Sequence, residues 1–253
     1  MYSTPLSGDW EPRTAAGAAS LFELGDVHVF LMHLDHPTRP AAELAATLNA
    51  EERQRASRFR FAVDQRRFEA ARGLLRHVLG YYTGAAPEAV RFQYSASGKP
   101  AIAGGDNTTA LAFNLSHSGA YALLGLTRAA AIGVDIEVSR IIADHEGIAK
   151  GNFAEAECNE LFRLAPTRRR DGFLACWTRK EAYVKALGHG LLAPLDQFVV
   201  SVDPDAPAKL VSIGGSSTAA TAWTLWAKRP TTDSWAALVV SGRPLRVCSF
   251  SLV

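Results

Sequence analysis

The sequence predicts an α+β fold composed of two similar lobes. In each half of the chain, segments with helical periodicity come first and segments with strand-like patterns follow. The helical segment ARGLLRHVLG of the first half also aligns loosely with RKEAYVKALG of the second. A chain of 253 residues is long enough for two lobes with a substantial core. We therefore expect a loose arm at residues 1–20, a first lobe at 21–128 and a second lobe at 129–253.

The first lobe begins with a strand, DVHVFLMHL, which is largely apolar and lies between Gly25 and Pro37. AAELAATLNAEERQRASRF is helical in pattern with a break near Asn49, and VDQRRFEAARGLLRHVLGYYTG predicts a second helix with a stop at Gly80. VRFQYSASGKPAI predicts a short strand that leads into a turn. ALAFNLSHSGAYALLGLT predicts two strands around the loop SHSG, and a further strand, AAAIGVDIEV, follows.

The rest of the second half again begins with helices. HEGIAKGNFAEAECNELFRLA predicts a helix that Gly151 and Asn152 interrupt, and DGFLACWTRKEAYVKALG predicts a helix that ends at Gly188. FVVSVD, AWTLWAKR and SWAALVVSG predict strands. For the terminal RPLRVCSFSLV, a strand and a tail both stay open.

The composition indicates a globular protein in a reducing compartment. Hydrophobic residues make up 48% and charged residues 21% of the chain. The three cysteines form no CxxC pair, which argues against a disulfide framework or a zinc site. The N-terminal segment lacks the pattern of a signal peptide, and no apolar run reaches the roughly 18 residues that predict a membrane span. We expect a cytoplasmic protein without a membrane partner.

The net charge is only +2, so bulk charge does not favour a nucleic-acid partner. The distribution is uneven, however, because residues 51–80 contain eight arginines and four acidic residues. Solvated helix faces often carry such charges, whereas a phosphate-rich ligand or a polyanion would also suit this segment. Both interpretations stay open on composition alone.

Two carboxylates, Asp135 and Glu137, occupy alternate positions in the strand segment GVDIEV. Residues i and i+2 of a strand point to the same face, so the two like charges lie side by side. For an isolated D-x-E the commoner interpretation is a strand end that faces water. The alternative is a site for a hard cation such as Mg²⁺, which prefers oxygen ligands.

The helical segment WTRKEAYVKALGHGL places Glu181 and Lys185 one turn apart. In one interpretation they form an ordinary helix ion pair that stabilises a surface. In the other, Glu181 is a third carboxylate for the same cation, and Lys185 neutralises charge on an anionic substrate.

Two short polar segments complete the set of candidate residues. In FNLSHSG, Ser116 and His117 either cap backbone groups of a turn or bind a phosphate. The serine lacks a G-x-S-x-G context, which disfavours a serine hydrolase. In SGKP, Lys99 is either a surface residue of a turn or a phosphate contact, since GKP alone is no Walker motif.

Taken in order, SGKP, FNLSHSG, GVDIE and WTRKEAYVKALGHGL resemble the 4′-phosphopantetheinyl transferases of the surfactin-synthetase-activating type. The motifs span residues 97–191, and the arginine segment at about 53–76 is also similar. GVDIE is unspecific by itself. W-x-x-K-E-A-x-x-K about forty residues later is far more specific, and the order of all the motifs makes a chance match improbable.

The resemblance implies a monomer of two α+β lobes that are related by a pseudo-twofold axis, with the active site in the cleft between them. It implies transfer of the 4′-phosphopantetheine group of coenzyme A to a serine of an apo acyl or peptidyl carrier protein. The other product is 3′,5′-ADP, and Mg²⁺ binds the pyrophosphate. Carrier proteins of fatty-acid, polyketide and nonribosomal-peptide synthesis are all implied.

The resemblance also implies a role for individual residues. Asp135, Glu137 and Glu181 match the metal-binding carboxylates, and Glu181 matches a base for the carrier serine. Lys185 matches a lysine that contacts the phosphates and assists the departing 3′,5′-ADP. The positions that match contacts to coenzyme A are Arg53, Arg55, Arg72, Lys99, Ser116 and His117.

Two other classes of function compete with this enzyme. A coenzyme A-binding or nucleotide-binding regulatory module without chemistry predicts damaged carboxylates, yet Asp135, Glu137 and Glu181 are all present. A nucleic-acid-binding protein built on the arginine segment predicts binding that weakens steeply with salt and needs none of the carboxylates.

Overall fold

The computed structural model describes residues 22–104, 110–128, 130–139, 144–188, 190 and 194–252. The described strands are β1 Asp26–His33, β2 Phe92–Tyr94, β3 Pro100–Ile102, β4 Leu111–Ser118, β5 Tyr121–Arg128, β6 Ile132–Val138, β7 Phe198–Val200, β8 Leu210–Ile213, β9 Trp223–Lys228, β10 Ser234–Ser241 and β11 Arg246–Leu252. The described helices are α1 Ala41–Ala46, α2 Ala50–Ala56, α3 Ala62–Thr83, α4 His145–Asn152, α5 Glu155–Arg163, α6 Pro166–Leu187 and α7 Ser217–Ala220. The predicted α+β class is confirmed. The predicted arm at residues 1–20 lies outside the described residues.

Two larger sheets form the centre of the structure. The first has the strand order β11-β1-β5-β4, in which β11 runs parallel to β1 and the other pairs are antiparallel. The second has the order β6-β10-β9 and is antiparallel. Two small hairpins, β2-β3 and β7-β8, accompany them. The chain crosses from the first sheet to the second after β5 and returns with β11.

The two sheets pack face to face, and one long helix covers the outer face of each. Along β1, Val27 and Val29 point between the sheets, whereas Phe30 and Met32 point towards α3. This alternation is the period-two pattern of a strand that is buried on both faces. α6 packs in the same way on β6 and β10. Each fully buried apolar side chain in these layers contributes about 1.5–3 kcal/mol.

The lobes repeat one arrangement of a short helix and a long helix. α3 and α6 each have 22 residues and end at a glycine with positive φ, Gly84 and Gly188. Arg76 and Lys180 both occupy the fifteenth position of their helix. Arg76 binds Glu52 of α2, and Lys180 binds Glu157 of α5. These parallels agree with the loose repeat in the sequence.

Two local predictions were wrong. Helix α3 continues through Gly80 to Thr83, and the glycine is needed because a Cβ there would lie 2.6 Å from the Ala85 carbonyl oxygen. The helix ends instead at Gly84, which adopts the left-handed conformation (φ 74°). Ser116 and His117 lie within strand β4, and the turn follows at Gly119.

The terminal segment RPLRVCSFSLV contains strand β11, which resolves the choice between a strand and a tail. Although these residues fall in the predicted second lobe, 129–253, the strand pairs with β1 in the first sheet. Among the described helices, none combines the length and apolar character that crossing a membrane requires.

The buried Lys180–Glu157 pair gives a first prediction. Both side chains are 0% exposed, and Lys180 Nζ lies 2.6 Å from Glu157 Oε1. Lys180→Met leaves the carboxylate without its cation, so we expect the free energy of unfolding to fall by about 3–5 kcal/mol. Urea unfolding measures the loss.

The control is Arg39→Met, which breaks the exposed pair between Arg39 and Glu43. It is expected to cost less than about 1 kcal/mol. A Lys180→Met protein as stable as this control would contradict the assigned role of the buried pair.

Candidate active site at the junction of the two sheets

Side-chain hydrogen bonds join β4 of the first sheet to β6 of the second. Asn114 accepts from a main-chain amide of β6 at 2.8 Å. Ser116 Oγ donates to Asp135 Oδ1 at 2.9 Å, and Ser118 Oγ donates to Glu137 Oε2 at 2.7 Å. Because alternate residues of a strand share a face, the three polar residues of β4 align with the carboxylates of β6. The junction therefore fixes the D-x-E segment against the FNLSHS segment.

Asp135 is the most buried of the acidic candidates, with 3% of its surface exposed. Lys185 Nζ donates to its Oδ1 at 2.5 Å and to Ser116 Oγ at 2.9 Å. The other oxygen, Oδ2, is buried without a hydrogen-bond partner. Burial raises the pKa of Asp135 to about 6, although Lys185 and Ser116 act against this rise, while Glu137 adds to it. A buried carboxylate oxygen without a partner is energetically costly, and a bound cation would reduce that cost.

Glu137 and Glu181 place two further negative charges beside Asp135. The pKa of Glu181 is raised, mainly by burial. The charge of Lys185 opposes this rise, and the charge of Glu137 adds to it. Glu137 is half-buried and acts electrostatically on both other carboxylates. Glu137 repels both Asp135 and Glu181, and three carboxylates are an oxygen donor set that suits a hard divalent cation.

The geometry does not by itself form a complete metal site. Within the described ranges, no three His, Cys, Asp or Glu side chains are arranged to hold a metal ion. The ammonium group of Lys185 instead serves as the counter-ion of Asp135. The donor chemistry and the unsatisfied Oδ2 fit a divalent cation, but Lys185 competes for the same carboxylate.

Gly133 allows helix α6 to bring Glu181 and Lys185 to β6. A Cβ at Gly133 would lie 2.1 Å from the Ala182 carbonyl oxygen and 2.3 Å from the Ala186 amide nitrogen. Only glycine permits this approach. Since Glu181 and Lys185 are four residues apart, both lie on the helix face towards the strand. The glycine of GVDIE is thus part of the site, a role that the sequence analysis missed.

His117 lies next to the carboxylates, and Arg55 adds a positive charge beside it. The pKa of His117 is lowered by partial desolvation and by the charges of Lys185 and Arg55. The Arg55 guanidinium lies 5.4 Å from the centre of the Phe68 ring. A cavity of about 260 Å³ adjoins His117, and Phe68 also lines it. The site therefore combines an acidic centre with a cationic flank, which suits a phosphate ligand with a bound metal.

In the structure, two of the predicted phosphate contacts, Lys99 and Arg53, donate to main-chain oxygens. Lys99 Nζ donates to the main-chain oxygens of Ile132 at 2.9 Å and Lys185 at 2.5 Å. Lys99 thus ties the end of α6 to the start of β6. Arg53 donates to the Leu48 carbonyl.

Arg72, a third predicted contact, is buried. Its Nη2 lies 2.5 Å from Glu52 Oε1, and its guanidinium lies 4.5 Å from the centre of the Phe92 ring. The predicted residues that the structure brings together are Arg55, Ser116, His117, Asp135, Glu137, Glu181 and Lys185.

Comparisons with known proteins identify the family of the chain. The family model of the 4′-phosphopantetheinyl transferase superfamily matches residues 131–240, and that of the 4′-phosphopantetheinyl transferase N-terminal region matches residues 36–128. The chain is 39% identical to the 4′-phosphopantetheinyl transferase HetI of Nostoc sp. over 217 residues, which cover 86% of this chain and 88% of HetI. It is 30% identical to the 4′-phosphopantetheinyl transferase Sfp of Bacillus subtilis, over 62% of this chain and 68% of Sfp.

A solved structure, the holo-[acyl-carrier-protein] synthase of Thermotoga maritima, matches 45% of this chain and 63% of its own. Its TM-score is 0.34 at 22% identity, which is too slight a likeness to support an argument.

The fold and the matches together define an α+β group-transfer enzyme. The chain belongs to the 4′-phosphopantetheinyl transferase family. The resemblance seen in the motifs is confirmed.

The burial of Asp135 gives a prediction about stability and pH. Its pKa is raised from 3.8 to about 6, so the folded state disfavours the ionised form. This contribution to stability is present below about pH 4 and is lost as the pH rises through 6. Asp135→Asn removes the charge, and we expect its unfolding temperature at pH 8 to exceed that of the wild type by a few degrees.

Thermal unfolding between pH 4 and 8 measures the difference, which should shrink towards pH 4. Asp205→Asn alters an exposed carboxylate and serves as the control. An Asp135→Asn protein that is less stable than the wild type at pH 8 would contradict the assigned cost of burial.

Proposed function

We propose that this enzyme transfers the 4′-phosphopantetheine group of coenzyme A to a serine hydroxyl of an apo acyl or peptidyl carrier protein and releases 3′,5′-ADP. Mg²⁺ is the proposed cofactor. The observation that carries the proposal is the buried Asp135, whose Oδ2 lacks a partner, next to Glu137 and Glu181. An acidic centre binds a pyrophosphate only through a metal, and the cationic flank suits the remaining phosphate.

Asp135, Glu137 and Glu181 would hold the Mg²⁺. When bound, the ion would neutralise charge on the pyrophosphate oxygens and stabilise charge in the phosphoryl-transfer transition state. The unsatisfied oxygen of Asp135 and the repulsion of Asp135 and Glu181 by Glu137 support this assignment.

Arg55, His117 and Lys185 would bind the phosphates of coenzyme A. The charges of Arg55 and Lys185 both act on His117, which supports the three as phosphate contacts. Ser116 lies in the same cluster and can donate to a phosphate only if its hydroxyl leaves Asp135. The proposed contacts Arg53, Arg72 and Lys99 rest on the resemblance, and each would have to exchange a present structural partner for the ligand.

The transfer step forms a bond between the serine oxygen and the phosphorus that carries pantetheine, and it breaks the bond from that phosphorus to the bridging oxygen of 3′,5′-ADP. Glu181 is the proposed base that takes the serine proton. Lys185 is proposed to neutralise the phosphate of the leaving 3′,5′-ADP.

The proposed enzyme is a cytoplasmic monomer. Its proposed protein partners are carrier domains of fatty-acid, polyketide or nonribosomal-peptide synthesis. Neither nucleic acid nor a membrane is a proposed partner.

Intact-mass measurement of an apo carrier protein tests the function. Incubation with the wild-type enzyme, coenzyme A and Mg²⁺ should increase the carrier mass by one phosphopantetheine group. EDTA should prevent the gain, and Glu181→Ala should reduce the rate by at least about 100-fold because it removes a base and a metal ligand.

Several carriers should be compared in this assay. Measurable coenzyme A binding without any mass gain on them would favour the regulatory-module alternative. A gain that EDTA leaves unchanged would remove Mg²⁺ from the proposal.

The Lys185–Asp135 ion pair gives a second prediction for this function. Lys185→Met removes the ammonium group that competes for Asp135, so we expect the free enzyme to bind Mg²⁺ more tightly than the wild type. The same change should weaken coenzyme A binding about tenfold or more, because a charged hydrogen-bond donor is lost. Calorimetric titrations with each ligand alone measure both effects.

Lys209→Met, at an exposed lysine, is the matched control and should change neither affinity. If Lys185→Met weakens Mg²⁺ binding to the free enzyme, Lys185 does not compete with the metal.

A further inference from the structure

Strand β4 provides a row of hydroxyl groups opposite the carboxylates of β6. Ser116 faces Asp135 and Ser118 faces Glu137, so both pairs follow the period-two alternation of a strand. β4 and β6 belong to different sheets, and these side chains take part in setting their alignment. Of the two serines, the motif resemblance assigns a role only to Ser116.

The hydrogen bonds of Ser118 fix the direction of its hydroxyl. Its Oγ accepts from the Val138 amide at 3.2 Å and donates to Glu137 Oε2 at 2.7 Å. Because the amide binds a lone pair, the hydroxyl proton is directed to the carboxylate. One oxygen of Glu137 is thereby held and the other is left for a cation.

The backbone next to Ser118 holds this contact in place. Gly119, which follows it, has a φ of 55°, and a Cβ there would lie 3.4 Å from Val138 Cγ2. The turn after β4 therefore lies beside Val138, the residue after Glu137, and keeps the end of β4 next to it.

We propose that Ser118 is a positioning residue that orients Glu137 as a metal ligand. The inference rests on the proposed function, because Glu137 is a metal ligand only there. Groups that hydrogen-bond to a metal ligand fix its orientation, and their removal typically costs about 10–100-fold in metal affinity. Ser118→Ala should therefore weaken Mn²⁺ binding by about this factor, whereas Ser118→Thr, which keeps the hydroxyl, should restore most of it.

The test is a double-mutant cycle with Glu137→Gln. Mn²⁺ is titrated into the free protein and is followed by electron paramagnetic resonance. Thermal unfolding of each variant reports on the fold. If Ser118 acts through Glu137, Ser118→Ala should weaken Mn²⁺ binding in the wild-type background and change it little in the Glu137→Gln background.

Two results would overturn the inference while the proposed function stands. One is wild-type Mn²⁺ affinity in the Ser118→Ala protein. The other is an equal loss in both backgrounds, which would mean that Ser118 acts on the fold and not on Glu137. A wild-type protein that binds no Mn²⁺, with or without coenzyme A, would instead refute the metal in the proposed function, and with it this inference.

Discussion

The burial of Asp135 is the constraint on which the site depends. A carboxylate buried where β6 meets α6 and β4 is costly unless a cation and hydrogen bonds accompany it. Lys185 and Ser116 supply part of this stabilisation, and Oδ2 is left unsatisfied. Gly133 is required because it lets α6 approach closely enough for Lys185 to reach Asp135. Strand β6, helix α6 and the hydroxyl groups of β4 thus all lie around the charge of Asp135.

The two sheet-and-helix units share a frame, but only α6 has a glutamate and a lysine at the positions that face the site. Glu181 and Lys185 occupy the sixteenth and twentieth positions of α6, where α3 has His77 and Tyr81. The buried pair between the short and the long helix is present in both lobes and stabilises each of them. The pairing of a short and a long helix therefore does not depend on the candidate site residues. In this arrangement α2 and β4 contribute Arg55 and the hydroxyl row, and β6 and α6 contribute the carboxylates.

Sequence patterns predicted most helices and strands because their signals are local. The largely apolar segment DVHVFLMHL between Gly25 and Pro37 and the glycine after α6 suffice to place β1 and to end α6 at Leu187. Gly80 misled the prediction because its need for glycine comes from the Ala85 carbonyl, a contact that the helical pattern does not reveal. The pairing of β11 with β1 joins the two ends of the described chain, and no local pattern encodes it.

The site was predicted only in part, because local spacing reveals some of its residues and contacts between distant elements do not show in the sequence. Spacing alone placed Asp135 next to Glu137 and Glu181 next to Lys185. It could not reveal that Lys99 and Arg72 are already engaged, since their partners lie on distant elements. Ser118 was missed although it stands in the motif FNLSHSG. Ser118 lies two residues after Ser116 in β4, so the alternation that places Ser116 on the face towards β6 also places Ser118 there.

The central claim is that the carboxylates of β6 and α6 bind a metal that replaces Lys185 as the counter-ion of Asp135. A crystal structure with coenzyme A and Mn²⁺, recorded at a wavelength where manganese scatters anomalously, tests it most directly. The account predicts an anomalous peak in contact with Asp135 and Glu181, with Lys185 Nζ displaced from Asp135 towards a phosphate. Manganese bound elsewhere, with the Lys185–Asp135 ion pair intact beside the bound coenzyme A, would contradict it.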